Sequence, residues 1–129
     1  MGSTSREQHL AAFSEVDIAL DPFPQGGGVS TWEAVHMGVP VVSKLGGGLS
    51  SRLAGSIMSA IEMSDWVAAD DDQYVHIALR ATPDTLGMIR GDLPDLINRS
   101  CSPASYTRAV EQAYQVMWLR CCNERRQGQ

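Results

Sequence analysis

The chain has 129 residues, 43% of them apolar, which suffices for one modest core and points to a single domain over residues 1–129. Its net charge is −5 and Lys44 is its one lysine; with no basic run or aromatic-basic stripe, a nucleic-acid partner is excluded as an expectation. No apolar stretch approaches the ~18 residues that a membrane span needs, so no membrane partner is expected either.

Residues 1–5 are small and polar and read as a tag remnant. Ser5 and Gln8 form a capping box, which predicts a helix to about Ser14 with Leu10 and Phe13 on its apolar face. Residues 16–20 alternate at period two before Asp21-Pro22 and predict a strand. A loop rich in proline and glycine follows, and Ser30 is expected to cap a helix that Gly38 closes near Met37. Residues 39–43, Val-Pro-Val-Val-Ser, predict a second strand and Gly46-Gly47-Gly48 a second loop. Leu49, Leu53, Ile57 and Ile61 recur every four residues and predict a helix with one buried stripe. Residues 66–68 predict a brief strand. Asp70 to Asp72 open a helix that carries Tyr74, Ile77, Ala78 and Ala81 inward, acids at its positive end. Pro83 begins a helix expected to break at Pro94, and Pro103 begins the last, with Tyr106, Val110, Ala113 and Met117 on one face. Residues 123–129 read as a frayed polar tail. Strands separated by helices imply an α/β fold: a small parallel sheet of about three strands, flanked by helices, with helices at the C-terminal end.

Cys101, Cys121 and Cys122 are odd in number and two are adjacent, against a disulfide framework. No C-x-x-C or His-x3-His spacing suggests zinc, so no metal site is expected, and reduced thiols fit a cytoplasmic location.

The informative segment is Gly26-Gly27-Gly28-Val29-Ser30-Thr31-Trp32-Glu33, a glycine-rich turn between a strand and a helix. Absent side chains let a ligand reach the backbone, and the first amides of a helix point outward unpaired. With the helix dipole these suit a diphosphate, and Ser30 and Thr31 offer hydroxyls. Neither the Walker pattern nor G-x-G-x-x-G is present. The rival reading of the triplet is a plain tight turn. Glu33, one turn later, can accept two hydrogen bonds from the vicinal hydroxyls of a ribose; its rival role is to complete a capping box with Ser30. His36 and His76 have no carboxylate or cysteine at useful spacing and read as surface residues, as does Arg52 beyond the second loop, whose functional alternative is to neutralise phosphate.

The glycine loop, Glu33-Ala34 and Gly38-Val39-Pro40-Val41-Val42 resemble the nucleotide-sugar signature of GT-B glycosyltransferases. With His9, residues 17–21, Ser51-Arg52 and the stretch from Tyr106 to Met117-Trp118, they resemble the O-linked N-acetylglucosamine transferase family, its bacterial members especially, over residues 9–118. The resemblance implies part of a Rossmann-like half of a GT-B fold, a UDP-sugar donor such as UDP-N-acetylglucosamine, inversion at the anomeric carbon, transfer to protein Ser/Thr, and no metal or other cofactor. It places His9 at the uracil, Gly28, Val29 and Ser30 at the diphosphate within the loop of Gly26, Gly27 and Thr31, and Glu33 at the ribose. It assigns no catalytic residue to this chain.

Two departures stand out. The family often carries threonine or histidine where this chain has Gly28 and Val29, so Val29 offers only its amide. Retaining enzymes of this fold often carry a second glutamate where this chain has Gln25, which argues against that subgroup. The partner implied is a missing N-terminal catalytic half; without it the chain is expected to be inactive and to self-associate. Two other readings stand beside this one: a non-catalytic binding or interaction module, and a fragment of another GT-B activity such as a sugar-nucleotide epimerase.

Overall fold

The computed structural model describes residues 5–127. Residues 1–4 of the expected tag remnant and residues 128–129 of the expected tail lie outside it. Three parallel strands, β1 (Ala19–Leu20), β2 (Val41–Lys44) and β3 (Val67–Ala68), lie in that spatial order. Between and around them run α1 (Arg6–Ala11), α2 (Val29–His36), α3 (Leu53–Ala60), α4 (Asp71–Arg80), α5 (Pro83–Ser100) and α6 (Pro103–Gln127). Ala19 stands opposite Val41, and Ser43 opposite Val67. This is the small helix-flanked parallel sheet that the order of elements implied.

β2 is the centre of the fold. Val41, Val42 and Ser43 are buried, as expected of a parallel strand covered on both faces. Ala34 and Val35 of α2, Met58 of α3, Ile77 of α4 and Leu93 and Ile97 of α5 complete one core with Ile61, Met63 and Trp66. Leu93 has no exposed surface, and Leu93→Ala is expected to cost roughly 2–5 kcal/mol.

Ser5 and Gln8 form the expected capping box on α1, but a 3-10 turn over Ala12–Glu15 carries the chain onward from it. Strand β1 is shorter than residues 16–20 suggested. The carbonyl of Val16 accepts from the Arg90 guanidinium (2.7 Å), which ties this stretch to α5, and pairing with β2 begins only where the amide of Ala19 meets the carbonyl of Pro40. Trp66 likewise ends a 3-10 turn and does not join β3.

The expected stripe on α3 is rotated. Of its four residues Ile61 is fully buried and Ile57 half-buried, but Leu49 is 82% exposed and Leu53 43%, while Ala54, Gly55 and Met58 are buried. The helix rides on its small residues: a Cβ on Gly55 would stand 2.9 Å from Leu45 and 3.2 Å from Val67. Pro94 does not break α5, which runs unbroken from a capping box of Thr82 and Thr85. A proline there deletes a single bond, the one to the carbonyl of Arg90, and that carbonyl lies against Gly38.

The stretch from residue 123, read as a tail, continues α6 to Gln127. Tyr106, Tyr114, Met117 and Trp118 on α6 are each more than half exposed.

Candidate functional site

Both glycine loops sit at the carboxyl edge of the sheet, one after β1 and one after β2, where open parallel sheets bind ligands. They are joined, since the amide of Gly26 donates to the carbonyl of Ser50 (3.1 Å). The second loop folds on Ser51, whose hydroxyl donates to the carbonyl of Gly48 (2.8 Å). A Cβ on Gly46 would strike that hydroxyl at 2.2 Å.

The helices differ at their N-termini. Ser5, Asp70 and Thr82 cap α1, α4 and α5, each of which also has an acid in its first turn. α2 and α3, which follow the two glycine loops, have neither a side-chain cap nor an acid in the first turn. Their first amides and the positive ends of their dipoles are left for an outside anion.

Ser30 does not cap α2. The N-cap is Gly28, and the helix begins at Val29. The capping-box role for Glu33 therefore falls. Glu33 is instead bonded to α1: its Oε1 lies 3.1 Å from the Arg6 guanidinium and its Oε2 3.3 Å from His9 Nε2. The structure thus brings together His9 and Glu33, the two residues expected at base and ribose. His9 stands edge-on to Phe13, with centroids 5.4 Å apart. A cavity of about 390 Å³ opens beside Glu33, between Leu10, Val29, Trp32 and Met37.

Within the loop the expected donors divide. Gly28, Val29 and Ser30 face the open edge, and Val29 is 72% exposed. The amides of Gly26 and Gly27 are already taken, by Ser50 and by the Asp21 carboxylate (2.6 Å). Thr31 is buried beneath Gly27, so of the two expected hydroxyls only that of Ser30 is exposed. Arg52 is exposed, with a long 3.5 Å bond to the carbonyl of Gly46. His36 is exposed and bonded to the carbonyl of Trp32, and His76 is exposed on α4. Among the described residues no group of three or more His, Cys, Asp or Glu could hold a metal ion.

Asp21 and Arg6 were missed. The signal for Asp21 was an acid at the end of an apolar strand, directly before the glycine loop. Beside Asp21, the Tyr74 hydroxyl donates to its carbonyl (3.0 Å), and Phe23 packs edge-on to Tyr74. Lys44 lies 3.8 Å over the Phe23 ring and pairs with Asp71.

Burial, and then the charge of Asp21, raise the Tyr74 pKa above its ordinary 10.0. The folded state therefore holds the phenolic proton longer than the unfolded state does. The resulting stability is full below the ordinary value and is lost as pH rises through the raised one. Tyr74→Phe is expected to lose about 1 kcal/mol at about pH 8 and to show a shallower loss of stability toward about pH 11, read from urea midpoints.

No family model matches the sequence. It is 36% identical over 120 residues to the probable UDP-N-acetylglucosamine–peptide N-acetylglucosaminyltransferase SPINDLY of Solanum lycopersicum, and 35% identical over 119 residues to that of Hordeum vulgare. Each match covers 89% of this chain and 13% of the relative. A mutant of the Thermobaculum terrenum O-GlcNAc transferase superposes with a TM-score of 0.83 at 28% identity, over 95% of this chain and 24% of that one. Sequence and fold agree that the chain belongs to the O-linked N-acetylglucosamine transferase-like glycosyltransferases, as the counterpart of one segment of their much longer members.

Proposed function

We propose that this chain holds the nucleotide of a UDP-sugar, as the donor-binding segment of an inverting glycosyltransferase that acts on protein Ser/Thr. One observation carries the reading. The uncapped, acid-free N-terminus of α2 adjoins a cavity bounded by Glu33, with His9 alongside. A diphosphate on the amides of Gly28, Val29 and Ser30 sets a ribose toward Glu33 and a base toward His9. The names of the relatives, which refer to UDP-N-acetylglucosamine and a peptide, support that choice of donor and acceptor. The reading needs no metal and suits a cytoplasmic protein with free thiols at Cys101, Cys121 and Cys122.

Calorimetric titration with UDP tests it, and absence of binding at millimolar UDP would sink it. Glu33→Gln refines the test. The pairs with Arg6 and His9 lie at the surface, so their loss is expected to cost under ~1 kcal/mol of stability. Losing a charge-assisted bond to ribose is expected to cost about ten-fold in UDP affinity. Unchanged affinity would remove Glu33 from the ribose site.

Because the fold's chemistry lies in a cleft between two halves, the segment alone is expected to transfer no sugar from labelled UDP-N-acetylglucosamine to a Ser/Thr peptide. A second reading, a non-catalytic interaction module, is favoured by the exposed aromatic side chains of α6. Light scattering is expected to report a dimer or larger; a monomer at high micromolar concentration would count against it.

A further inference from the structure

Asp21 is buried, with a relative exposure of 6%, and each of its four polar atoms is engaged. Its amide donates to the carbonyl of Val42 (2.9 Å), and its own carbonyl accepts from Tyr74 (3.0 Å). Its Oδ2 accepts from the Ser43 hydroxyl (2.9 Å), and its Oδ1 accepts from the amide of Gly27 (2.6 Å). The residue is thus bolted to β2 and α4, and it reaches across the turn to seize the chain one residue before the N-cap of α2. The turn has no slack: a Cβ on Gly26 would stand 2.8 Å from Asp21 Oδ2, and one on Gly27 2.5 Å from Ser30 Oγ.

We infer that Asp21 is a positioning residue for the nucleotide: it clamps the amide of Gly27 inward and so fixes the direction of the next amides, Gly28, Val29 and Ser30. The inference rests on the donor-binding reading and adds to it the device that aims the loop. The carboxylate does not serve the ligand through its charge, because a negative group beneath a diphosphate repels it. Its use is geometric, since two oxygens can hold Ser43 and Gly27 at once. Asparagine can reproduce this, its oxygen accepting from Gly27 while its NH2 donates to Ser43. Alanine cannot.

The experiment compares UDP affinity in the full chain and in Asp21→Ala, Asp21→Asn and Ser43→Ala, with amide hydrogen exchange at Gly27 under conditions where each remains folded. Asp21→Ala is expected to weaken UDP about ten-fold or more and to deprotect the Gly27 amide. Asp21→Asn is expected to keep that protection and to bind UDP as well as the parent or better. Ser43→Ala removes the lower tether alone, so it is expected to lose stability with less than about a three-fold change in affinity. If Asp21→Asn binds as poorly as Asp21→Ala, charge and not position is what matters, and the inference falls. It falls equally if Ser43→Ala weakens UDP as much as Asp21→Ala, because affinity then follows the stability of the fold. A parent chain that takes no UDP defeats the nucleotide reading, and the clamp is then judged by exchange: Gly27 protected in the parent and open in Asp21→Ala upholds it, protected in both overturns it.

Discussion

Replacing Gly28 by aspartate is expected to abolish UDP binding while leaving the fold intact. Gly28 has φ −120° and ψ −77°, outside the left-handed region, and no atom lies within 4 Å of where its Cβ would stand. It is the N-cap of α2, and no side chain caps that helix. Aspartate caps a helix from extended backbone, as Asp70 does at φ −143° and ψ 178°, so at the ψ of −77° found for Gly28 no capping gain is expected and the carboxylate has no seat on the helix amides. The same carboxylate then occupies the place of a phosphate and repels one, so affinity is expected to fall well over ten-fold. A melting temperature close to that of the parent, with no UDP heat in calorimetry, is the expected pair of results. Full UDP affinity in Gly28→Asp would mean that the ligand does not touch this helix end. The same substitution at Gly27 is a poorer probe: its Cβ would meet Ser30 Oγ at 2.5 Å and Thr31 Oγ1 at 2.9 Å, disrupting the loop itself.

Gly38→Ala is expected to have the opposite profile, a large loss of stability with UDP affinity of the folded protein preserved. Gly38 has φ +79°, a conformation that costs a side-chain-bearing residue about 1–2 kcal/mol. Its Cβ would also press on Arg90, 2.8 Å from Cγ and 3.4 Å from the carbonyl oxygen. That side chain has little freedom to yield, being bonded to the carbonyl of Val16. Crowding a packed contact adds about 1–3 kcal/mol, for a total of roughly 3 kcal/mol. Urea denaturation would read the loss, and the melting temperature is expected to fall by roughly 10 °C. The site lies at the far end of α2 from Gly28, so a UDP affinity within about two-fold of the parent is expected at low temperature. A loss under ~1 kcal/mol would show that α5 shifts to make room.

The fold class was legible because strong local signals alternate along the chain: the Ser5 box, the Val-Pro-Val-Val run, Gly38 as a helix stop, and the acids before α4. What was misread turned on tertiary choice. The stripe from Leu49 to Ile61 favours large apolar residues, but α3 packs closely through Ala54 and Gly55, which hydrophobic periodicity undervalues. Pro94 was given the force of a breaker, yet it deletes one bond whose carbonyl is set against Gly38. Ser30 looked like a cap because serine favours caps, whereas α2 begins a residue before it, at Val29. At the candidate site, the positions of Glu33 and His9 followed from family resemblance. Their direct bond, and the partnership of Arg6, required the crossing of α1 over α2. Asp21 marked the end of a strand and part of the family stretch without a role of its own, because that role exists only in the turn that it closes.

The central place of β2 also bears on how the chain assembles. Its pairings with β1 and β3 are both parallel, so each closes only after a helix and its flanking loops have crossed the sheet. The described residues form no hairpin that could nucleate the sheet locally, and chain entropy must be spent before either ladder forms. Each crossing carries one of the two glycine loops, followed by α2 in the first and α3 in the second. A nucleotide held by the loop after β1 therefore favours only a chain in which the β1–β2 crossing has closed.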